Sequence, residues 1–192
     1  MPQVKKASID NRICEAAFCL FWEKGYRATS MPDIAARARV TPGNIYRYYK
    51  SKFELFYQVL EPWLNEQIEG LENRLAAIED SPEKVRMTLV FLWIELPRAG
   101  NNFMRNLMEA LATKKPDEPY SRNLLNKSER RIARLLDGSL PQDARRRLLS
   151  TELAHLLFMA QDGFVLNAGL VEETERIEDL IDGLISLMFG SD

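Results

Sequence analysis

Apolar residues recur at three- and four-residue intervals along most of the chain, which is the spacing that lets a helix bury one face. The pattern predicts a first helix over about residues 6–24, with Gly25 placed to end it. No stretch shows the sustained two-residue alternation of a half-buried strand. We therefore predict an all-α fold of about nine helices, with four short or medium helices in front of a five-helix bundle.

Three helix starts follow each other closely in the first third of the chain. Ser30 and Asp33 form a capping-box pattern, in which aspartate stands for the usual glutamate. Thr41 is placed as the N-cap of a second helix, with Pro42 at its first helical position. Ser51 opens a third, longer helix. Two short helices joined by a three-residue turn predict a helix-turn-helix, whose second helix lies in the major groove of DNA.

The distribution of charge supports this prediction, although the net charge of −2 alone does not. Residues 1–52 hold ten lysines and arginines against four aspartates and glutamates, whereas residues 53–192 hold 16 basic and 24 acidic residues. A basic segment attached to an acidic remainder is typical of a protein that meets phosphate with one end. We predict a helix-turn-helix DNA-binding domain over residues 1–52 and an effector-binding and dimerisation domain over residues 53–192.

An ordered run of residues begins at Ile13 and ends at Leu55. It reads I-x-x-A-A-x-x-L-F-x-x-x-G-Y-x-x-T-S, then I-A-x-x-A-x-V-T-x-G-x-I-Y, and closes with Y-x-K-S-K. This run resembles the TetR family of transcription regulators. The resemblance implies a ligand-responsive repressor that binds a palindromic operator in double-stranded DNA as a homodimer and is released by a small hydrophobic effector.

The resemblance also implies which residues of the N-terminal segment contact DNA. Phosphate contacts are implied for Thr29, Tyr46 and Lys52, and a position near the DNA backbone for Tyr48. The variable base-reading positions are Thr41, Gly43, Asn44 and Arg47. Arg39 stands where the family usually has glycine, so we expect a left-handed backbone there at a cost of roughly 1 kcal/mol, with a further phosphate contact from its side chain.

Two long apolar patterns, at about residues 141–168 and 172–189, carry more apolar surface than one buried stripe requires. Specific DNA binding normally needs two reading heads, about 34 Å apart on one face of the duplex. In the family, the two corresponding helices pair with their copies in a second subunit. The predicted dimer interface comprises Phe158, Gly163, Leu166, Ile177, Leu180, Ile181 and Leu184.

The segment from Met87 to Ile94 is apolar on every side, as expected of a helix surrounded by others. A ligand chamber beside such a helix would be mainly apolar with a few polar anchors. The predicted effector-binding residues are Trp63, Phe91, Glu95, Phe103, Met104, Met108 and Gln161. Each of them also fits an ordinary place in the core or on the surface, and the sequence does not identify the effector.

Other classes of protein fit the sequence less well. It contains two cysteines and one histidine, and it shows no catalytic triad spacing, glycine-rich phosphate loop or metal-ligand cluster, so we expect no enzyme, cofactor or metal. The N-terminus lacks the apolar run of a signal peptide and no apolar run is long enough for a membrane span, so we expect a cytoplasmic protein without membrane contact. A helical ligand-binding or adaptor protein with a vestigial DNA-binding head is the remaining alternative.

Overall fold

The computed structural model describes residues 2–101, 103–143, 149–167 and 174–190. Within these ranges the chain is helical without strands, which confirms the predicted all-α class. The nine helices are α1 (Pro2–Ala28), α2 (Met31–Ala38), α3 (Pro42–Ile45), α4 (Lys52–Ala76), α5 (Ser81–Val90, continued by a π-helical segment Phe91–Glu95 and a last turn Leu96–Arg98), α6 (Phe103–Thr113), α7 (Asn123–Asp137), α8 (Ser150–Asn167) and α9 (Thr174–Phe189). Residues 144–148, 168 and 172–173 of the two predicted long helices lie outside the described residues.

Contacts divide the chain into two compact units. The N-terminal unit comprises residues 1–64 and 100–120, and the C-terminal unit comprises residues 65–99 and 121–192. The N-terminal unit is larger than the predicted DNA-binding domain because the first half of α4 and the whole of α6 pack with α1 in one core. The division into functional domains at residue 52 remains a prediction.

An aromatic cluster forms the core of the N-terminal unit. Phe103, which is fully buried, lies at its centre, with its ring centroid 5.0 Å from that of Trp63 and 5.4 Å from that of Phe56. Gly100 approaches this cluster so closely that a Cβ there would lie 2.9 Å from ring atoms of both Trp22 and Trp63. Trp63, Phe103 and Met104, which we predicted to bind an effector, are thus packed core residues of this unit.

Gly25 interrupts α1 as predicted, but the chain resumes a helical turn that ends at Ala28. The backbone of Gly25 has φ 83° and ψ 167°, a region that is open almost only to glycine. Asn106 of α6 holds both sides of this break: its Oδ1 accepts a hydrogen bond from the Tyr26 N–H at 2.9 Å, and its Nδ2 donates to the Phe21 carbonyl at 3.1 Å. We call this pair of bonds the Asn106 clamp. It fixes the direction in which the chain leaves α1 toward the helix-turn-helix.

The cap signals at α2 act as the sequence predicts. The Ser30 hydroxyl accepts from the Asp33 N–H at 3.2 Å, and the Asp33 carboxylate accepts from the Ser30 N–H at 3.1 Å, which completes a capping box. At the other end of α2, Arg39 adopts the left-handed conformation with φ 55° and ψ 47°. The expected left-handed turn is therefore confirmed, and a residue with a Cβ occupies it.

Replacing Arg39 with glycine removes the strain of this Cβ, so we expect Arg39→Gly to raise the free energy of unfolding by about 1 kcal/mol. Urea denaturation measures the change. Ala36→Gly is the matched control, because Ala36 is exposed in the interior of the same helix, where glycine lowers stability by about 1 kcal/mol. A loss of stability in Arg39→Gly would mean that the arginine side chain contributes more than its backbone costs.

Candidate nucleic-acid interface

The surface of α3 and the residues around it presents most of the predicted DNA contacts to solvent. Ile45 is fully buried and anchors the helix, which leaves the opposite side free. The exposed members of the predicted set are Arg39, Thr41, Gly43, Tyr46 and Arg47, and the half-buried members are Asn44 and Tyr48. We call these seven residues the α3 surface. It combines small residues at the start of the helix with an arginine and two tyrosines after it, so the helix backbone can approach base edges closely.

Thr29 and Lys52 do not lie on this surface in the way that the resemblance implied. The Thr29 side chain is buried, and its hydroxyl donates to the carbonyls of Leu20 at 3.1 Å and Gly25 at 2.8 Å. The Lys52 ammonium donates to the carbonyls of Tyr26 at 2.8 Å and Thr29 at 2.9 Å. Both side chains thus satisfy backbone acceptors near the end of α1, which a helix leaves without intrahelical partners.

The position of Lys52 also changes its electrostatics. Its Nζ lies 4.2 Å from the centroid of the Tyr26 ring, so the cation faces an aromatic surface as well as two carbonyls. Burial lowers the pKa of Lys52 below its ordinary value, and the carboxylate of Glu109 opposes that shift. In this structure Lys52 and Thr29 thus fasten α1 to the helix-turn-helix. The Lys52 ammonium keeps a third N–H beyond these two bonds, and the phosphate contacts of both residues remain predictions.

Tyr49 forms a second connection between α1 and the helix-turn-helix, which was not predicted from the sequence. Tyr49 is buried, and its hydroxyl donates to the Asp10 carboxylate at 2.6 Å and lies 3.1 Å from the Cys14 sulfur. Burial and the bond to Asp10 raise the pKa of Tyr49, which keeps the phenol protonated. Of the two consecutive tyrosines, Tyr48 therefore lies at the surface and Tyr49 in the interior. Both tyrosines follow the end of α3, so helical periodicity gave no signal for which of them turns inward.

Charge pairing distinguishes the arginines of the motif. Arg37 forms a two-point ion pair with Glu23 of α1, with N–O distances of 2.5 and 2.7 Å. This pair lowers the pKa of Glu23 and occupies the Arg37 guanidinium. Arg39 and Arg47 are exposed beside α3 and are better placed to meet an external anion.

The segment that carries this surface matches a known protein family. Residues 13–59, which contain α2, α3 and the α3 surface, match the family model described as bacterial regulatory proteins of the tetR family. This N-terminal segment is therefore of the TetR type. Over 71 residues the chain is 32% identical to the transcriptional activator FasR of Mycolicibacterium smegmatis, a match that covers 37% of this chain and 32% of FasR. The matched segment thus spans about a third of that curated relative.

Solved TetR-like structures cover almost the whole chain. A TetR-family regulator from Pectobacterium atrosepticum has a TM-score of 0.70 at 22% identity, over 98% of this chain and 96% of that one. The regulator FadR of Bacillus subtilis, solved in complex with stearoyl-CoA, has a TM-score of 0.62 at 20% identity, over 94% of this chain and 98% of that one. At these identities the likeness shows the fold, including the helical region that follows the DNA-binding motif.

The last two described helices carry an apolar stripe, of which five residues are exposed and Gly163, Ile177 and Leu184 are half-buried. On α8 it consists of Leu156, Met159, Gly163 and Leu166, and on α9 of Ile177, Leu180, Leu184 and Leu187, at three- and four-residue spacing. Leu187 is 83% exposed and Leu166 is 61% exposed, which is unusual for leucine in a monomer. Phe158 and Ile181, which we predicted for the interface, point to the interior of the C-terminal unit and are core residues. Leu156, Met159 and Leu187 were not predicted, because sequence alone does not show which apolar side of a helix is left uncovered.

The predicted effector residues divide between the two units. Trp63, Phe103, Met104 and the half-buried Met108 belong to the N-terminal unit, whereas Phe91, Glu95 and Gln161 belong to the C-terminal unit. Glu95 is exposed and forms a two-point ion pair with Arg74 at 2.7 and 3.1 Å. Together with Phe91 these two residues line an open groove of about 350 Å³ between α4 and α5. Gln161, by contrast, has no exposed surface.

Asp162, next to Gln161, carries a partly buried carboxyl group. Burial raises its pKa from 3.8 to about 6. Because the folded pKa lies above the unfolded one, the protonated form stabilises the fold, and this contribution is lost as the pH rises from about 4 to about 6.

We therefore expect Asp162→Asn to raise the free energy of unfolding at neutral pH by roughly 1–2 kcal/mol, which is less than the full shift implies because solvent screens a partly exposed carboxyl. The difference from the wild type should shrink as the pH falls below 6 and vanish below 3.8, where both states of the wild type are protonated. Thermal denaturation across this range at one protein concentration measures it. A constant difference at every pH would show that packing, not charge, separates the two proteins.

No described helix is both long enough and apolar enough to cross a membrane. Among the described residues no three histidine, cysteine, aspartate or glutamate side chains are grouped as metal ligands would be.

Proposed function

We propose that this protein is a TetR-family transcription repressor that responds to a ligand and acts in the cytoplasm on a palindromic operator as a homodimer. The observation that carries the proposal is the α3 surface, in which small residues open an exposed helix supported by the buried Ile45. Base edges in the major groove are read by side chains at such a helix start. Arg47 is the side chain of this surface that can donate two hydrogen bonds to guanine.

A homodimer follows from the apolar stripe on α8 and α9. One copy of α3 is a single turn of helix and contacts few bases, so specificity requires a second copy at a fixed distance. Leucines that are exposed in one chain are covered when the same stripe of a second chain packs against them, as in an isologous interface. The proposed interface residues are therefore those of the stripe, including Gly163, where open space permits close approach.

The proposed ligand response acts through the Asn106 clamp. Asn106 belongs to α6, which also carries Met104 and Met108, so a ligand that displaces α6 pulls on the break in α1 at Gly25. The end of α1 is bonded to Lys52 at the start of α4, and both helices flank the helix-turn-helix. A hundredfold loss of operator affinity needs about 2.7 kcal/mol of coupling between the two sites. FadR in complex with stearoyl-CoA supports a ligand-binding body in this fold.

The test is selection of binding sites from random duplex DNA with the full chain. We expect the wild type to enrich a palindrome whose half-sites lie about one helical turn, or 10 base pairs, apart. Arg47→Ala should bind that palindrome at least about 30-fold more weakly, because a two-point contact to guanine worth about 1–3 kcal/mol is lost at each of the two half-sites. Arg105→Ala is the matched control, since Arg105 is an exposed arginine on α6 away from the α3 surface.

The second candidate is an adaptor or ligand-binding protein whose DNA-binding head is vestigial. The ion pair of Arg37 and the inward-turned Thr29 and Lys52 favour it, because three polar side chains of the motif serve internal contacts. If the purified dimer enriches no sequence and Arg47→Ala behaves as the wild type, the repressor proposal fails and this candidate replaces it. Enrichment by the wild type that Arg47→Ala loses would exclude it.

A further inference from the structure

Gln161 of α8 is a buried amide without hydrogen-bond partners. Its side chain has no exposed surface, and both its Nε2 and its Oε1 lack a partner in the structure. Exchanging the two atoms by turning the amide over leaves the same deficit, because a donor and an acceptor are both unsatisfied. Buried polar groups are nearly always paired, so such a residue calls for an explanation by a bound species or a function.

The surroundings of Gln161 are apolar and aromatic. Leu157 precedes it by one helical turn and Phe164 follows it by three residues, so all three lie on one face of α8. The indole N–H of Trp93 donates to the Leu157 carbonyl at 3.1 Å, and its ring lies 5.3 Å from that of Phe164. Trp93 therefore contacts α8 at both residues that flank Gln161 on this face.

Trp93 is part of a local irregularity in α5. Residues Phe91–Glu95 form a π-helical segment, in which the Leu96 N–H donates to the Phe91 carbonyl five residues earlier. Short π-helical segments widen a helix and occur frequently at functional sites. This one packs against α8, so the widened turn and the orphaned amide belong to the same contact within the C-terminal unit.

We propose that Gln161 anchors the effector of this protein through two hydrogen bonds, and that the effector presents a neutral donor beside an acceptor on an apolar or aromatic body. Carboxamides, lactams and pyridones have such an edge. An ester, a ketone or a carboxylate would satisfy only the N–H groups of Gln161, and an ammonium would satisfy only its oxygen. A charged group is disfavoured further, because burial of a charge among Leu157, Trp93 and Phe164 has no compensating partner.

This inference rests on the proposal that the protein responds to an effector, not on the route through α6, and it adds the chemical class of the effector and a binding position in the C-terminal unit. Because the amide is closed off from solvent, a ligand reaches it only when neighbouring side chains move. Trp93 belongs to the π-helical segment, so its movement would displace that segment.

The test compares three probes of one shape with the full chain by calorimetry: 2-naphthamide, 2-naphthoate and 2-methylnaphthalene. We expect the amide to bind about 10- to 100-fold more tightly than either of the others, from two hydrogen bonds of ordinary strength. Gln161→Met, which keeps the length of the side chain, should bind all three alike and should melt at a higher temperature than the wild type. Gln161→Leu serves as a second variant.

Three outcomes would overturn the inference: no binding of the naphthamide, equal binding of the three probes by the wild type, or unchanged preference in a folded Gln161→Met. Each would leave Gln161 as a strained core residue or a site for buried water. Operator binding is measured separately on the same proteins. If the ligand inference fails but Gln161→Met binds the operator as the wild type does, the proposed function still stands. If the wild type binds no operator, the proposed function is refuted, whatever the ligand experiment shows.

Discussion

A Gly25→Ala variant is expected to lose roughly 2–4 kcal/mol of unfolding free energy. The backbone of Gly25, at φ 83° and ψ 167°, is in a region that L-residues with a Cβ almost never occupy. An added Cβ would also lie 3.2 Å from the Asn106 Oδ1, the atom that accepts from the Tyr26 N–H. The substitution therefore strains the break in α1 and presses on the bond that holds it. Urea denaturation followed by circular dichroism measures the loss.

Gly70→Ala is the matched control for this variant. Gly70 lies in the exposed interior of α4, and no atom lies within 4 Å of where its Cβ would be. Alanine there should stabilise the protein by about 0.5–1 kcal/mol through helix propensity. If the two variants changed stability in the same direction, the break at Gly25 would not be the constraint that we infer.

The second large effect is expected from a charge on the apolar stripe. Leu187→Glu should convert the dimer to a monomer and weaken operator binding by about 100-fold or more, because two linked heads bind far more tightly than one. Leu187 is 83% exposed, so the glutamate costs the isolated chain little. Its burial without a partner in the interface would be strongly unfavourable. Sedimentation and operator titration measure the two effects.

Ser186→Glu introduces the same charge one residue earlier on α9. Ser186 is exposed and lies off the stripe, so this variant should remain dimeric and bind DNA as the wild type does. A dimeric Leu187→Glu protein would show that the stripe is not the dimer interface. A monomer that kept full operator affinity would instead remove the need for two reading heads.

The sequence was sufficient to predict the features that depend on local rules. Helix periodicity gave the all-α class, and the capping box at Ser30 follows from the preferences of a helix start. Gly25 was correctly read as a break, since glycine is the residue for such a backbone. Each of these predictions needs only the residues within one or two turns of helix. The left-handed conformation of Arg39 was instead expected from the family resemblance.

What could not be predicted depends on partners distant in the chain. Lys52 was expected at the DNA surface, but carbonyls 23 and 26 residues earlier bind its ammonium. Whether Tyr48 or Tyr49 turns inward depends on Asp10, which α1 places beside the motif. Likewise, Ile181 and Leu180 differ in burial only because α5 covers one side of α9. Patterns in a single sequence identify apolar faces but do not say which neighbour covers each of them.

The Asn106 clamp also makes one position in the chain a spectroscopic reporter. The Tyr26 N–H follows the break at Gly25 and depends on a side chain 80 residues away for its hydrogen bond. Its exchange with deuterated solvent is therefore governed by the opening of α6 from α1 and not by fraying of a helix. The exchange rate of this amide would therefore report the separation of α6 from α1 directly, without a measurement of DNA binding.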